Sequence, residues 1–254
     1  MFSIPLIIAH RGASRDAPEN TLAAFRLAWE QGADGIEADF RLTRDGRIVC
    51  LHDASTARTT GVDLRVDSSS LSELNSLDAG GWKGRQWAGE RIPTLDEVIA
   101  ALPAGKRLFV ELKCGPEIIP PLAAVLAGSG IAVEQVVLLS FSAQLVGLLK
   151  EHLPDCRACW LSESRRNWLT SDPTPAHERI IATLRGSGAD GLACRAGRFL
   201  DERLAEALRE AGLELHVWTV DAPAAARRFA ALGVASIFTN RPGWLRERLG
   251  GSNT

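Results

Sequence analysis

The sequence predicts an α/β protein, a (β/α)8 TIM barrel, and two observations lead to that fold class. First, one unit recurs along the chain: a helical stretch ends in glycine and a short apolar run follows within a few residues. Glycine suits the left-handed position that closes a helix, and the apolar run after it is typical of a strand. Second, eight apolar runs fit within 254 residues, a normal length for one such barrel. We therefore expect a single barrel domain over residues 1–254.

The predicted strands follow one another with helical segments in most of the gaps. They cover residues 6–9, 35–42, 108–112, 136–140, 156–161, 191–194, 213–220 and 236–239. Helical stretches that end in glycine precede the second, fourth, sixth, seventh and eighth strands, at residues 27–32, 122–130, 180–188, 204–212 and 229–233. Eight alternating units favour a closed parallel barrel over an open doubly wound sheet.

The longest interruption of this pattern runs over residues 53–95. A strand-like piece at 47–51 precedes it, and the segment itself is rich in Ser, Gly and Asp and contains Trp82 and Trp87. Functional residues of a barrel enzyme lie on loops at the carboxyl ends of the strands. We expect this segment to be a small active-site insertion after the second strand rather than a second domain.

Composition argues against several function classes. The chain is 46% hydrophobic and 24% charged, as globular proteins are, and no apolar stretch is long enough to span a bilayer, so membrane insertion is not expected. A net charge of -2 without any Lys or Arg run argues against nucleic acid as a partner. The apolar start at 2–9 lacks a basic leading segment and is followed at once by His10, which favours a strand over a signal peptide and predicts a cytoplasmic protein.

The five cysteines are expected to be reduced, structural thiols, because their number is odd and most lie in apolar, strand-like contexts. Cys156 and Cys159 form a Cys-x-x-Cys motif. No second cysteine pair or histidine pair stands at zinc spacing, so the motif by itself does not predict a metal or redox site.

Charged residues occur where the interior of a barrel should be apolar. Side chains alternate along a strand, so Glu37, Asp39 and Arg41 share one face of the second strand while apolar residues face the helices. The same alternation points Glu111 and Lys113 inward near the end of the third strand. Buried carboxylates require compensation, and three oxygen ligands suit one hard divalent cation, Mg2+ or Ca2+. The alternative is a buried salt-bridge network of these acids with Arg41 and Lys113.

Two histidines are expected at the catalytic rim of the barrel. His10 closes the first strand, and His52 follows the strand-like piece after the second. A pair of imidazoles beside a metal is suited to general acid and general base catalysis near neutral pH.

Three further residues are candidates for substrate binding. Arg11 and Lys113 supply positive charge for a phosphate, or else balance the acids. Trp218 offers an apolar wall for the glycerol or alcohol part of a small-molecule ligand, or else belongs to the core. His216 falls two residues before Trp218 and therefore on the same face of the seventh strand.

A set of motifs resembles the glycerophosphodiester phosphodiesterase family in order and spacing over nearly the whole chain. The motifs are His10-Arg11-Gly12-Ala13, Pro18-Glu19-Asn20-Thr21, Glu37-Ala38-Asp39, Asp45-Gly46, His52-Asp53, Ile92-Pro93-Thr94-Leu95, Glu111-Leu112-Lys113, Trp218-Thr219-Val220 and Thr239-Asn240-Arg241-Pro242. The resemblance implies a metal-dependent phosphoric diester hydrolase that converts glycerophosphodiesters to sn-glycerol 3-phosphate and an alcohol.

The resemblance also implies a role for each candidate residue. His10 would be the general base and His52 the general acid. The ligands of the divalent cation would be Glu37, Asp39 and Glu111. Arg11 and Lys113 would hold the phosphate. Asn20 belongs to the second motif, although from the sequence alone it could instead cap the helix that begins near Thr21.

Two other functions remain open at this point. The first is a lysophospholipase D-like or phospholipase-like lipid phosphodiesterase with the same chemistry, which predicts an apolar collar formed by Trp82, Trp87 and Trp160. The second is a non-catalytic phosphoglycerol-binding barrel. The presence of both histidines beside three acids argues against the latter, because phosphate binding requires no acid-base pair.

Overall fold

The strands of the structure, a computed structural model that describes residues 5–163, 165–166 and 173–250, include the eight that were predicted. Their bounds are β1 Leu6–His10, β2 Gly35–Leu42, β3 Ile48–Cys50, β4 Arg107–Leu112, β5 Val136–Ser140, β6 Arg157–Ser162, β7 Arg165–Arg166, β8 Pro173–Thr174, β9 Gly191–Arg195, β10 Glu214–Trp218 and β11 Ser236–Thr239. The predicted strand 213–220 is shorter in the structure, because the chain leaves the sheet after Trp218.

Helices fill the connections between the strands. Their bounds are α1 Leu22–Glu30, α2 Ala57–Thr60, α3 Leu71–Asn75, α4 Leu95–Ala100, α5 Ile119–Ser129, α6 Ala143–His152, α7 His177–Ser187, α8 Glu202–Glu210, α9 Pro223–Ala231 and α10 Pro242–Gly250. Short 3-10 helices span Val66–Ser68, Arg85–Trp87, Pro116–Ile118 and Val133–Gln135. No helix in the described ranges is both long enough and apolar enough to cross a bilayer.

Parallel pairing closes the sheet into a barrel. The strand order is β1-β11-β10-β9-β6-β5-β4-β2, and β1 pairs with β2 to complete the ring, with His10 opposite Glu37. The (β/α)8 prediction is therefore confirmed. The strand-like piece at 47–51 is also a strand: β3 runs antiparallel to β2 and places Cys50 opposite Phe40.

The segment between β3 and α4 forms a compact layer at the carboxyl end of β2. It carries α2 and α3 and forms a small apolar cluster with Val49 of β3; the other members are Leu51, Val66, Leu74, Ala79 and Ile92. A capping box at the start of α4, in which Thr94 and Glu97 bond each other's backbone amides, ends the segment.

The barrel interior contains a separate apolar cluster that occupies the middle of the lumen. Its buried members are Ile8, Phe109, Val137, Leu139, Cys159, Leu161, Ala193 and Phe238. Polar side chains lie on both sides of this layer: the three acids predicted for the metal at the carboxyl ends of the strands, and a second group toward the amino ends.

Candidate active site

The three predicted metal ligands converge at the carboxyl end of the lumen. Asp39 on β2 lies opposite Glu111 on β4, and Glu37 lies one inward-facing position below Asp39. One carboxylate oxygen from each residue lies within 4.8 Å of the others. The side chains are buried, with exposed fractions of 1% for Glu37, 0% for Asp39 and 7% for Glu111. Such a group of oxygen donors fits a hard divalent cation.

The electrostatics of this cluster show how unfavourable three buried charges are. Burial and the neighbouring Asp39 charge raise the pKa of Glu37 to about 8 and that of Glu111 to about 7. For Asp39, burial is overcome by Lys113 and Arg11, which lower its pKa to about 2. Oε1 of Glu37 is buried and has no hydrogen-bond partner within the part of the chain that the structure describes. An unpartnered carboxylate oxygen in this place supports the fit to a cation.

Two cationic side chains flank the acids. Nε of Arg11 lies 3.1 Å from Oδ2 of Asp39, and Nζ of Lys113 lies 3.1 Å from Oδ1 of the same residue. Lys113 also forms an ion pair with Glu111. Both cations face the cavity that the histidines line, so they are placed to contact a phosphate as well as the acids.

Arg41 does not join this network, contrary to the salt-bridge alternative. Its Nε and Nη2 donate hydrogen bonds to the carbonyl oxygen of His52, at 3.0 and 2.7 Å. Nη1 donates to the carbonyl oxygen of Lys113 at 3.1 Å. Arg41 lies near the end of β2, so its long side chain extends beyond the lumen to the loops at the carboxyl end of the barrel. Arg41 thus joins the two backbone segments that carry His52 and Lys113.

His10 is oriented by a hydrogen-bond network with residues near the carboxyl terminus of the sequence. Its Nδ1 lies 2.8 Å from Oδ1 of Asn240, which also accepts from the Ser14 hydroxyl at 2.9 Å. The Asn240 amide group donates to Asp221 at 2.8 Å, which fixes the orientation of the amide.

Nδ1 of His10 is therefore the protonated nitrogen, and Nε2, 3.9 Å from Oε2 of Glu37, carries the lone pair. Burial, and next the Arg11 charge, lower the pKa of His10, which favours the neutral ring.

His52 is oriented by a different set of residues, a series of linked ion pairs. Its Nδ1 lies 2.7 Å from Oδ1 of Asp53, whose other oxygen accepts from Arg58 at 2.5 Å. Arg58 also donates two hydrogen bonds to Glu19, at 3.0 and 2.8 Å, and Glu19 in turn accepts from Arg11 at 2.9 Å. Burial lowers the pKa of His52, whereas the charge of Asp39 and the hydrogen bond with Asp53 act in the opposite direction. A carboxylate on Nδ1 orients the ring and stabilises its protonated form.

The backbone before α1 adopts unusual conformations that bring its polar groups to the acids. Arg11 and Asn20 have positive φ angles of 56° and 59°. The Arg11 amide donates to Oε2 of Glu37 at 3.0 Å, and the Asn20 side chain donates to Oδ2 of Asp39 at 2.8 Å. Asn20 does not cap α1, because Thr21 is the N-cap and accepts from the Ala24 amide. Asn20 therefore orients a candidate metal ligand.

The candidate residues surround a cavity of about 190 Å³. His10, His52, Arg11, Lys113, Glu37 and Glu111 form its polar side, and Phe141, Leu161, Trp218 and Phe238 form an apolar wall. The Trp218 and Phe141 rings meet edge to face with centroids 5.9 Å apart. Trp218, a candidate from the sequence, lines this cavity, and so does Phe141, which the sequence analysis missed because no motif surrounds it. Asn240 was quoted within a motif, yet its contact with His10 was not foreseen.

The tryptophans proposed for the apolar collar of the lipid alternative do not line the cavity between the histidines. Trp82 is 44% exposed and donates from Nε1 to the carbonyl oxygen of Ala79. Trp160 donates to the carbonyl oxygen of Phe141. Neither of these residues, nor Trp87, lines the cavity between the histidines.

Comparison with known proteins agrees with this geometry. Residues 10–244 match the profile described as the glycerophosphoryl diester phosphodiesterase family. A glycerophosphodiester phosphodiesterase of Caldanaerobacter subterraneus is 34% identical over 248 residues, which cover 93% of this chain and 94% of that protein. A phosphodiesterase of Oleispira antarctica, solved with the product sn-glycerol-3-phosphate, superposes with a TM-score of 0.85 at 29% identity, covering 97% of each chain. A glycerophosphodiester phosphodiesterase of Agrobacterium tumefaciens gives 0.80 at 31% identity, covering 95% of this chain and 98% of that one.

Proposed function

Because this chain belongs to the glycerophosphoryl diester phosphodiesterase family, and is therefore a phosphoric diester hydrolase, we propose that it cleaves glycerophosphodiesters to sn-glycerol 3-phosphate and an alcohol with one divalent cation. The observation that carries this proposal is the common cavity of His10 and His52 with the acids and with Arg11 and Lys113. The bound sn-glycerol-3-phosphate of the Oleispira antarctica enzyme supports the same substrate class.

The cation would be held by Glu37, Asp39 and Glu111. Oxygen ligands of this kind favour Mg2+ or Ca2+ over softer metals. When bound, the ion would withdraw charge from the non-bridging phosphate oxygens and activate the attacking nucleophile. Within the protein, Asn20 and the Arg11 amide hold Asp39 and Glu37 in place, as outer partners of metal ligands do.

The two histidines would divide the proton transfers between them. His10 is suited to the general base, because its Nδ1 is bound to Asn240 and its buried ring favours the neutral form with a free Nε2. His52 is suited to the general acid, because Asp53 on Nδ1 stabilises an imidazolium that can protonate the leaving alkoxide through Nε2. Burial lowers the pKa of His52 in the free protein, and the negative charge of a bound phosphodiester would raise it toward that protonated form.

The remaining residues of the cavity would bind and orient the substrate. Arg11 and Lys113 would contact the non-bridging oxygens and stabilise the charge that develops on them. Trp218, with Phe141 beside it, would cover the carbon chain of the glycerol group. The attacking group would be either water or the substrate's own glycerol hydroxyl. A cyclic glycerophosphate found in single-turnover experiments would identify the hydroxyl, and its absence at all times would identify water.

Release of sn-glycerol 3-phosphate from glycerophosphocholine and glycerophosphoethanolamine tests the proposal directly. We expect turnover with Mg2+ or Ca2+, no turnover with excess chelator, and loss of activity in His10→Ala, His52→Ala and Glu37→Ala. The surface variant His152→Ala is the matched control, since this exposed ring contacts the carbonyl oxygen of Leu148 in its own helix. Turnover of lysophospholipids but of neither small substrate would favour the lipid alternative. Turnover that is unaffected by chelator would refute the metal-dependent mechanism.

A further inference from the structure

A second group of metal-binding side chains lies in the lumen on the other side of the apolar layer. Cys159 is the third residue of β6, and Glu214 and His216 are the first and third residues of β10. Cys159 and Glu214 both lie opposite Gly191 of the intervening strand β9, and this glycine places no side chain between them. The group is therefore near the amino ends of the strands, away from the candidate active site.

The donor atoms of this group face one another. One ligand atom of each residue lies within 4.8 Å of the other two. Nε2 of His216 and Oε2 of Glu214 are 3.3 Å apart and form an ion pair. The His216 side chain is only 2% exposed. The Cys159 thiol lies beside this pair, so a sulfur, a nitrogen and an oxygen donor converge on one small volume of the lumen.

The atoms that do not face the centre of this group are already bound. Nδ1 of His216 lies 2.8 Å from the Ser236 hydroxyl, so Nε2 is the nitrogen that points toward Glu214. Oε1 of Glu214 accepts from Arg157 at 3.0 Å, which leaves Oε2. Metal-binding histidines and carboxylates in proteins are oriented in this way by outer hydrogen bonds. The Glu214 side chain is 30% exposed, which gives an ion a path from solvent.

We propose that Cys159, Glu214 and His216 bind one transition-metal ion of the Zn2+ class. A thiolate, an imidazole and a carboxylate are the ligands that Zn2+ takes from proteins, and a solvent molecule would complete a tetrahedral site. Binding replaces the thiol proton of Cys159, which is released to solvent. The site differs in donor type from the all-oxygen cluster of Glu37, Asp39 and Glu111, so the two would select different ions.

Cobalt(II) distinguishes the two sites, because only a thiolate ligand gives a sulfur-to-cobalt charge-transfer band in the near ultraviolet. The full chain, freed of metals with chelator and supplied with Mg2+, is titrated with Co2+. We expect this band to grow to one equivalent, to be bleached by Zn2+ and to be absent in Cys159→Ser. Cys194→Ser, which alters another fully buried and free cysteine, is the matched control and should keep the band.

A second variant protects the test against loss of folding in Cys159→Ser. Glu214→Gln changes a partly exposed side chain without altering the thiol, and it should weaken Co2+ binding by at least about tenfold. The proposal is overturned if the folded wild-type protein shows no such band, or if Cys159→Ser retains it. The readout is independent of phosphodiesterase activity, so it stands or falls separately from the proposed function.

Discussion

Nδ1 of His10, at the end of the first barrel strand, lies 2.8 Å from Oδ1 of Asn240, immediately after the last strand. Because β1 and β11 are neighbours in the closed sheet, residues 230 positions apart in the chain meet at the rim. This contact determines which nitrogen of the candidate base is free.

Asn240→Ala should therefore impair the enzyme without unfolding it. The His10 ring would lose its orientation, and misplacement of a catalytic group costs up to about 10²-fold in rate. Asn240 also raises the pKa of His10 against the effect of burial, so the acidic limb of the pH profile of kcat/KM should move to lower pH. Ser14→Ala, which removes the other donor to Oδ1, is the control and should leave that limb in place. An unchanged profile in Asn240→Ala would contradict this assignment of the base.

Substrates with different leaving groups should separate the roles of the two histidines. Removal of a general acid or base costs about 10²- to 10⁴-fold in rate. A nitrophenyl phosphodiester needs no protonation of its leaving group. We expect His52→Ala to recover most of its activity on this substrate, while His10→Ala stays impaired. Recovery by His10→Ala instead would reverse the two assignments.

The metal-free protein should lose stability as the pH rises through about 7 to about 8, where Glu111 and Glu37 ionise. Both pKa values are raised by folding, so the folded protein keeps protons that the unfolded chain has released, and the free energy of unfolding falls with pH. The lowered pKa values of His10 and His52 act oppositely, but mainly below their ordinary value of 6.5.

Urea denaturation in chelator, on either side of this pH range, measures the effect. Saturating Mg2+ or Ca2+ should abolish the decline, because a bound ion stabilises the ionised acids. Glu37→Gln should flatten the decline even without metal. Stability that rises across the range in the metal-free wild type would refute the raised pKa values.

Arg41→Met should reduce kcat/KM by up to about 10²-fold while it leaves the barrel folded. The variant loses the hydrogen bonds to the carbonyl oxygens of His52 and Lys113, so both side chains become less well positioned. Arg47→Met is the control, since Arg47 is exposed and pairs with Asp96 at the surface. Equal activity of the two variants would show that Arg41 has no positioning role.

Strand alternation predicted much of the candidate site, because it depends only on local geometry. The period of two placed Glu37, Asp39 and Glu111 in the lumen, and the ends of predicted strands placed His10 and His52 near the rim. These inferences require no knowledge of which strands are neighbours.

The features that were missed depend on closure of the barrel and on side-chain reach. Alternation gave the correct face for Arg41, but a long side chain near the end of a strand bonds to whatever loop is beside it, here the one that carries His52. Phe141 faces Trp218 only because β5 and β10 are arranged around the same cavity. The burial of His216 likewise depends on the apolar side chains that other strands place in the lumen.

The pairing of the first strand with the last has a consequence for the order of events during synthesis. A ribosome that has synthesised β1 through β10 has made Glu37, Asp39 and Glu111 as well as His10 and His52. Asn240 and β11, the strand before it, have not yet been synthesised. A nascent chain of that length cannot orient Nε2 of His10. If His10 is the base, as proposed, we expect full catalytic activity to require the docking of β11.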